Sequence, residues 1–169
     1  MRCRLSPPYA PEQAARIANA AVFDTLRAVE ATRVGAASSA WATVAADLDQ
    51  AFSWHGPSLL VGVETPQLDP GLLADSAALL SRFDAVVGPT TGEGWWAFGL
   101  REPWQVMPLS LSGTGSLTLA ALRLGLRVAM LPVLQDINSA GDVQAVAERC
   151  ASGSRFAATA AALNGNRAR

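Results

Sequence analysis

Three stretches of the chain hold the side chains best suited to chemistry: Gly62-Val63-Glu64-Thr65-Pro66-Gln67, Gly88-Pro89-Thr90-Thr91-Gly92-Glu93-Gly94-Trp95-Trp96 and Leu134-Gln135-Asp136-Ile137-Asn138. Glu64 and Asp136 offer carboxylate oxygens to a hard divalent cation such as Mg²⁺ or Mn²⁺, of the kind that bridges a diphosphate. The same two groups serve equally as strand-end carboxylates that cap helices or face solvent, and their spacing alone does not choose. Trp95 and Trp96 present aromatic faces on which a sugar or a base stacks. Neighbours on a strand point opposite ways, so one of the pair faces a ligand and the other the core.

Other candidates have simpler readings. His55, the single histidine, follows Trp54 and precedes Gly56-Pro57, which reads as a helix end where a positive charge complements the dipole. Ser110, Ser112 and Thr114 have no histidine nearby and no Gly-x-Ser-x-Gly elbow, so Gly113-Thr114-Gly115 reads as a helix cap. All 13 basic residues are arginine. Without lysine there is no Schiff base, no pyridoxal-phosphate anchor and no P-loop lysine. A net charge of -1 and a pI near 5.8 give no drive toward nucleic acid or an anionic membrane. The runs Ser58 to Val63 and Val128 to Leu134 are too short to span a bilayer, and Met1 to Pro8 lacks the apolar stretch of a secretory signal. Cys3 and Cys150 read as reduced thiols of a cytoplasmic protein.

The elements that must position these residues follow from periodicity. A helix is expected from Pro11 to Thr32, with Ile17, Ala21, Thr25 and Val29 recurring every four residues, then a short strand over Arg33 to Ala36. A second helix is expected from Trp41 to Ser53, aligning Val44, Leu48 and Phe52. Ser58 to Val63 is apolar on both faces, the mark of a buried parallel strand. Asp69-Pro70 starts the next helix, which carries Leu72, Leu73, Ala77 and Leu80. Asp84 to Pro89 and Leu126 to Leu134 read as strands, and Trp95 to Leu100 as extended. Gly115 to Leu124, stopped by Gly125, and Ala140 to Cys150 read as helices, with one or two helical turns after Gly153. This alternation predicts an α/β fold: a three-layer sandwich on a mostly parallel, Rossmann-like sheet, with function at the carboxyl ends of the strands.

The order and spacing of Gly62-Val63-Glu64-Thr65-Pro66, Gly88-Pro89, the run Gly92 to Leu100 with its double tryptophan, and Leu131-Pro132-Val133-Leu134-Gln135-Asp136 carry a resemblance. The chain resembles the bacterial nucleotide-diphospho-sugar transferase-like family of the glycosyltransferase A type, long labelled a domain of unknown function. The helix from Pro11, Pro108-Leu109-Ser110 and Thr114-Gly115 also fit, and the likeness covers Arg2 to Val146 with gaps. It implies one glycosyltransferase A-like domain over residues 1–163 and a disordered tail over 164–169. It further implies glycosyl or nucleotidyl transfer from a nucleotide sugar with Mg²⁺ or Mn²⁺ held by Glu64, Asp136 and Asn138. By the same resemblance Glu93 takes the catalytic position, Arg2 and Arg4 contact phosphate, and Thr65, Trp95 and Trp96 line the substrate side.

The departures from the family pattern are specific. The family opens with a strand and a Lys/Gly-rich loop ending Lys-Thr-Arg-Leu, and Arg2-Cys3-Arg4-Leu5 aligns with its end only. A Gly-Gly-Asp-Leu-Gly segment is replaced by Ala37 to Thr43. Glu64 stands for Asp, Gly92 for Asp with Glu93 displaced by one position, Asn138 for Asp, and Gly113 for Arg. Together these imply weakened or lost activity, with a non-catalytic binding or assembly subunit of the same fold as the alternative, and a decayed remnant as a third. The lacking first strand predicts a sheet that closes up, a second copy or partner chain that completes it, or a shortened product.

Overall fold

A computed structural model of the chain describes residues 5–35, 41–44, 56–103 and 114–165. Helix α1 spans Pro11–Gly35. It takes in Arg33 to Gly35, where a strand is expected, because each residue added to a formed helix gains one backbone hydrogen bond without a new nucleus. Trp41–Val44 is strand β1 rather than the start of a helix. Trp, Thr and Val are residue types that favour strands, and a parallel neighbour is there to pair with. The rest of the expected helix, to Ser53, lies outside the described residues, as does His55.

The remaining elements are β2 (Ser58–Val61), α2 (Pro70–Ala78), a 3-10 turn (Leu79–Ser81), β3 (Ala85–Pro89) and β4 (Trp95–Leu100). They are followed by α3 (Thr114–Arg123), β5 (Val128–Met130), α4 (Ala140–Ala147) and α5 (Arg155–Gly165). Helix α2 begins as its sequence dictates: the Asp69 carboxylate accepts from the Leu72 amide at 3.0 Å and Pro70 occupies the first turn. Helix α5 includes Asn164, whose side-chain amide donates to Gln144 at 2.9 Å.

The sheet order is β1-β2-β4-β3-β5, continuous from edge to edge. β1 pairs directly with β2, Trp41 opposite Ser58, and β3 pairs with β5, both in parallel. β4 is antiparallel to both β2 and β3. The sheet is therefore mixed: β1, β2, β3 and β5 run one way and β4 alone runs against them. The cause is the short connection after Pro89, since a loop of a few residues can only return the chain antiparallel.

Helices cover both faces of the sheet. On one, α1 and α2 bury Ala28, Val29, Leu73 and Ala77 against Leu59, Val61, Val86 and Trp96. On the other, Ala121 of α3 packs on Ala85, Val87, Phe98 and Leu100. A separate apolar cluster joins α1 to α4 and α5 through Ile17, Ala21, Val143, Val146, Phe156 and Leu163. The fully buried large side chains are Trp, Phe, Leu and Ile. Each contributes about 1.5–3 kcal/mol of transfer free energy, more than a buried alanine, which removes less apolar surface from water. At the far end of the sheet Asp84 ties Arg101 (3.5 Å) and Arg127 (3.1 Å), joining β3 to the ends of its two neighbours. Among the described residues no helix is long and apolar enough to cross a membrane.

Candidate functional site

Because β4 runs against its neighbours, its first residue lies at the same rim as the carboxyl ends of β2, β3 and β5. Main-chain hydrogen bonds lace the loops there together. Thr90 N–H donates to Gly94 (3.1 Å), Thr91 N–H to Leu134 (2.9 Å), Leu134 N–H to Pro89 (3.1 Å) and Ile137 N–H to Glu64 (3.0 Å). The Gln67 side-chain amide donates to the Gln135 carbonyl at 2.6 Å. The two stretches that follow β2 and β5 are thus held side by side, which brings Glu64 and Asp136 into one site although 71 residues separate them in sequence.

Asp136 is only 4% exposed. Its two oxygens accept from consecutive hydroxyls, Thr90 at 2.9 Å and Thr91 at 3.4 Å. The loop above it is bare for a steric reason. A Cβ on Gly94 would stand 3.0 Å from the Thr90 hydroxyl and 3.3 Å from an Asp136 oxygen, and one on Gly92 would stand 3.0 Å from the Asn138 amide and 3.5 Å from Asp136. Glu64 is half-buried, and burial, reinforced by the facing Asp136 charge, pushes its carboxyl above the ordinary 4.5. Asn138 is anchored from below. Its backbone N–H donates to Asp142 at 3.2 Å, and Asp142 also receives the Ser139 N–H and hydroxyl at 2.8 Å each, a capping box for α4. Partial burial works to raise the Asp142 carboxyl, but those hydrogen bonds from Ser139 and Asn138 outweigh it and hold the group below its usual range.

The rim therefore gathers Glu64, Asp136 and Asn138. The other expected residues fare differently. Glu93 is exposed at the tip of the loop. Thr65 is 1% exposed with its hydroxyl enclosed and unpartnered, so it faces the interior rather than an open cleft. Trp96 is a core residue at 0% exposure, its indole N–H donating to the Pro132 carbonyl at 2.8 Å. Its ring lies over Gly88, where a Cβ would fall 2.5 Å from the indole. Trp95 is the half-buried member of the pair, packed toward the α3 face. Arg2 and Arg4 lie outside the described residues.

Sequence reasoning did not single out Thr90 and Thr91. The signal available was two adjacent hydroxyls at the end of a buried strand, in the loop richest in glycine. As to a cation, no group of three or more His, Cys, Asp or Glu gathers among the described residues. Two carboxylates with an adjacent amide are a smaller donor set, of the size that holds Mg²⁺ or Mn²⁺ only where phosphate and water complete the shell.

Known proteins bear on this geometry in two ways. The chain superposes on the crystal structure of a protein from Desulfovibrio desulfuricans G20 described as a "putative nucleotide-diphospho-sugar transferase", with a TM-score of 0.73. The match covers 98% of this chain and 88% of that one at 19% sequence identity, which is a likeness of fold. No curated protein matches the sequence. Residues 13–112 match the family described as "Uncharacterized protein conserved in bacteria (DUF2064)". That span is more than half of the 169 residues and runs from α1 past β4, and the chain belongs to this bacterial family.

Proposed function

We propose that the chain is a glycosyltransferase A-type protein that binds a nucleotide sugar at the rim, with Glu64, Asp136 and Asn138 holding Mg²⁺ or Mn²⁺ against the diphosphate. The observation that carries this reading is the convergence of the two carboxylates and the Asn138 amide beneath a glycine loop, where the ends of β2, β3 and β5 meet the start of β4. When bound, the cation offsets the negative charge that builds on the departing diphosphate. The chain's own contribution is to hold Asp136 by two hydroxyls, to keep Glu64 half-buried facing it, and to leave Gly92 and Gly94 bare so that phosphate oxygens approach the backbone. Trp95 offers a flat face to sugar or base, and Glu93 at the loop tip takes the acceptor proton. Arg2 and Arg4 supply positive charge for phosphate. The cytoplasm is the proposed compartment, on the two-cysteine sequence.

A second reading, a binding or assembly subunit without turnover, is favoured by the charge count. With Gly92 and Asn138 carrying no carboxylate, only Glu64 and Asp136 offer charge at the cation position, and Asp136 is almost enclosed. Calorimetric titration of UDP, GDP and CDP sugars with Mn²⁺ present tests both. Saturable binding with release of free nucleotide supports transfer, and binding without release selects the subunit. No heat at millimolar ligand removes both.

A further inference from the structure

We propose that Thr90 is a positioning residue that aims the Asp136 carboxylate, an inference that rests on reading the rim as a cation and diphosphate site. The loop from Thr90 to Gly94 is already closed by its main chain: Thr90 N–H donates to Gly94, and Thr90 bridges Leu134 in parallel. The hydroxyl is not needed for that closure. It is spent on Asp136 Oδ2 at 2.9 Å, a contact across 46 residues of sequence between two side chains that are both buried. Gly94 is bare where any Cβ would press on this pair, at 3.0 Å from the hydroxyl and 3.3 Å from the carboxylate.

The consequence is geometric. A carboxylate turns easily about its terminal torsion, whose profile is broad and two-fold. Each Asp136 oxygen can accept about two hydrogen bonds or ligands, and Thr90 with Thr91 takes one on each. What remains is one lone pair per oxygen at a fixed orientation, and neither donor brings a charge of its own. A cation then meets a carboxylate that has already given up its rotational freedom. Thr91, at 3.4 Å and exposed, is the weaker of the two holds.

The test is titration of the full chain with Mn²⁺ alone, followed by calorimetry, with a thermal melt of each variant alongside. Thr90→Val keeps the shape and the β-branch but removes the hydroxyl, and is expected to weaken Mn²⁺ binding about tenfold or more, as loss of an outer-shell partner does. Thr90→Ser restores the donor and is expected to bind within about threefold of the unmutated chain, even where its melt is lower. Thr91→Val is expected to change affinity less than Thr90→Val. If Thr90→Val binds Mn²⁺ as the unmutated chain does, or if Thr90→Ser loses affinity along with it, the positioning role is overturned while the cation site stands. If the unmutated chain takes up no Mn²⁺ at millimolar concentration, the reading of the rim falls and Thr90's role with it.

Discussion

Gly92 is the position at which the rim is most open to redesign. Its φ is not in the left-handed region, which among the described residues only Gly125 and Gly153 occupy, so a side chain fits its backbone. A Cβ there would point at Asn138 (3.0 Å) and at both Asp136 oxygens (3.5 and 3.6 Å). The only tight contact is with the end of a side chain, which can shift by a few tenths of an ångström. Gly92→Asp therefore sets a new carboxylate about 5 Å from Asp136, and two unit charges at that distance repel by about 3 kcal/mol at an effective dielectric of about 20. Solvent at the exposed loop reduces this to about 1–2 kcal/mol, or a melting temperature lower by about 2–8 °C for a chain of this size. A divalent cation between the two carboxylates reverses the sign. The same repulsion relieved, with attraction added, is expected to tighten Mn²⁺ binding about tenfold to a hundredfold, at about 1.4 kcal/mol per decade. Thermal melts with and without Mn²⁺, beside a direct titration, measure both halves. Gly92→Asn is the control, matching the shape without the charge. If Asp and Asn variants melt alike and bind Mn²⁺ alike, residue 92 does not face the Asp136 carboxylate and the assembled rim is wrong.

Two further outcomes are expected. Glu64, raised above 4.5 by burial and by Asp136, favours folding only while protonated; that contribution is complete below the unfolded value and lost as pH rises through the raised folded value. Glu64→Gln should consequently stabilise the cation-free chain at pH 7 relative to its effect near pH 4, and urea melts showing the same change at both pH values would refute this. Asp24 of α1 accepts from the Ser154 hydroxyl (2.7 Å) and the Arg155 (3.1 Å) and Phe156 (2.8 Å) amides, capping α5 from another helix. Asp24→Ala should cost about 1–3 kcal/mol, since it leaves helix-end donors unsatisfied. Hydrogen exchange in the first turn of α5 should rise more than in α2, and a uniform change across both helices would count against the cap.

The sequence showed where the rim is because strand ends and helix caps are local features. Asp69-Pro70 and Gly125, whose φ of +74° only glycine adopts freely, mark helix boundaries at the residues expected. Apolar runs marked β2 and β3. β1 differs from the expected helix because Trp41 to Val44 is too short for its period to separate helix from strand, and the parallel partner that decides it lies 17 residues on, at Ser58 to Val61. The reversal of β4 has a local signal, the brevity of the loop between Pro89 and Trp95. The choice between Trp95 and Trp96 had one too. Glycine inside a buried strand marks a close approach, and Gly88 is bare because the Trp96 indole covers it.

The site divides along the same line. That Glu64 and Asp136 carry charge is legible in a single letter each, and the rule that strand ends converge brings them to one rim. How Asp136 is aimed is not legible, because the hydroxyls that aim it sit 46 and 45 residues away and threonine at a strand end has no distinctive spelling. Charge and aim must then be perturbed separately. Removing Asp136 abolishes the charge and also strips Thr90 and Thr91 of their acceptor, so a lost cation and a collapsed loop would look alike. Thr90→Val alters the aim and leaves the charge, while Gly92→Asp adds charge and leaves the aim. Only opposite responses of Mn²⁺ affinity to the two, weaker for the first and tighter for the second, are what a pre-aimed carboxylate pair requires.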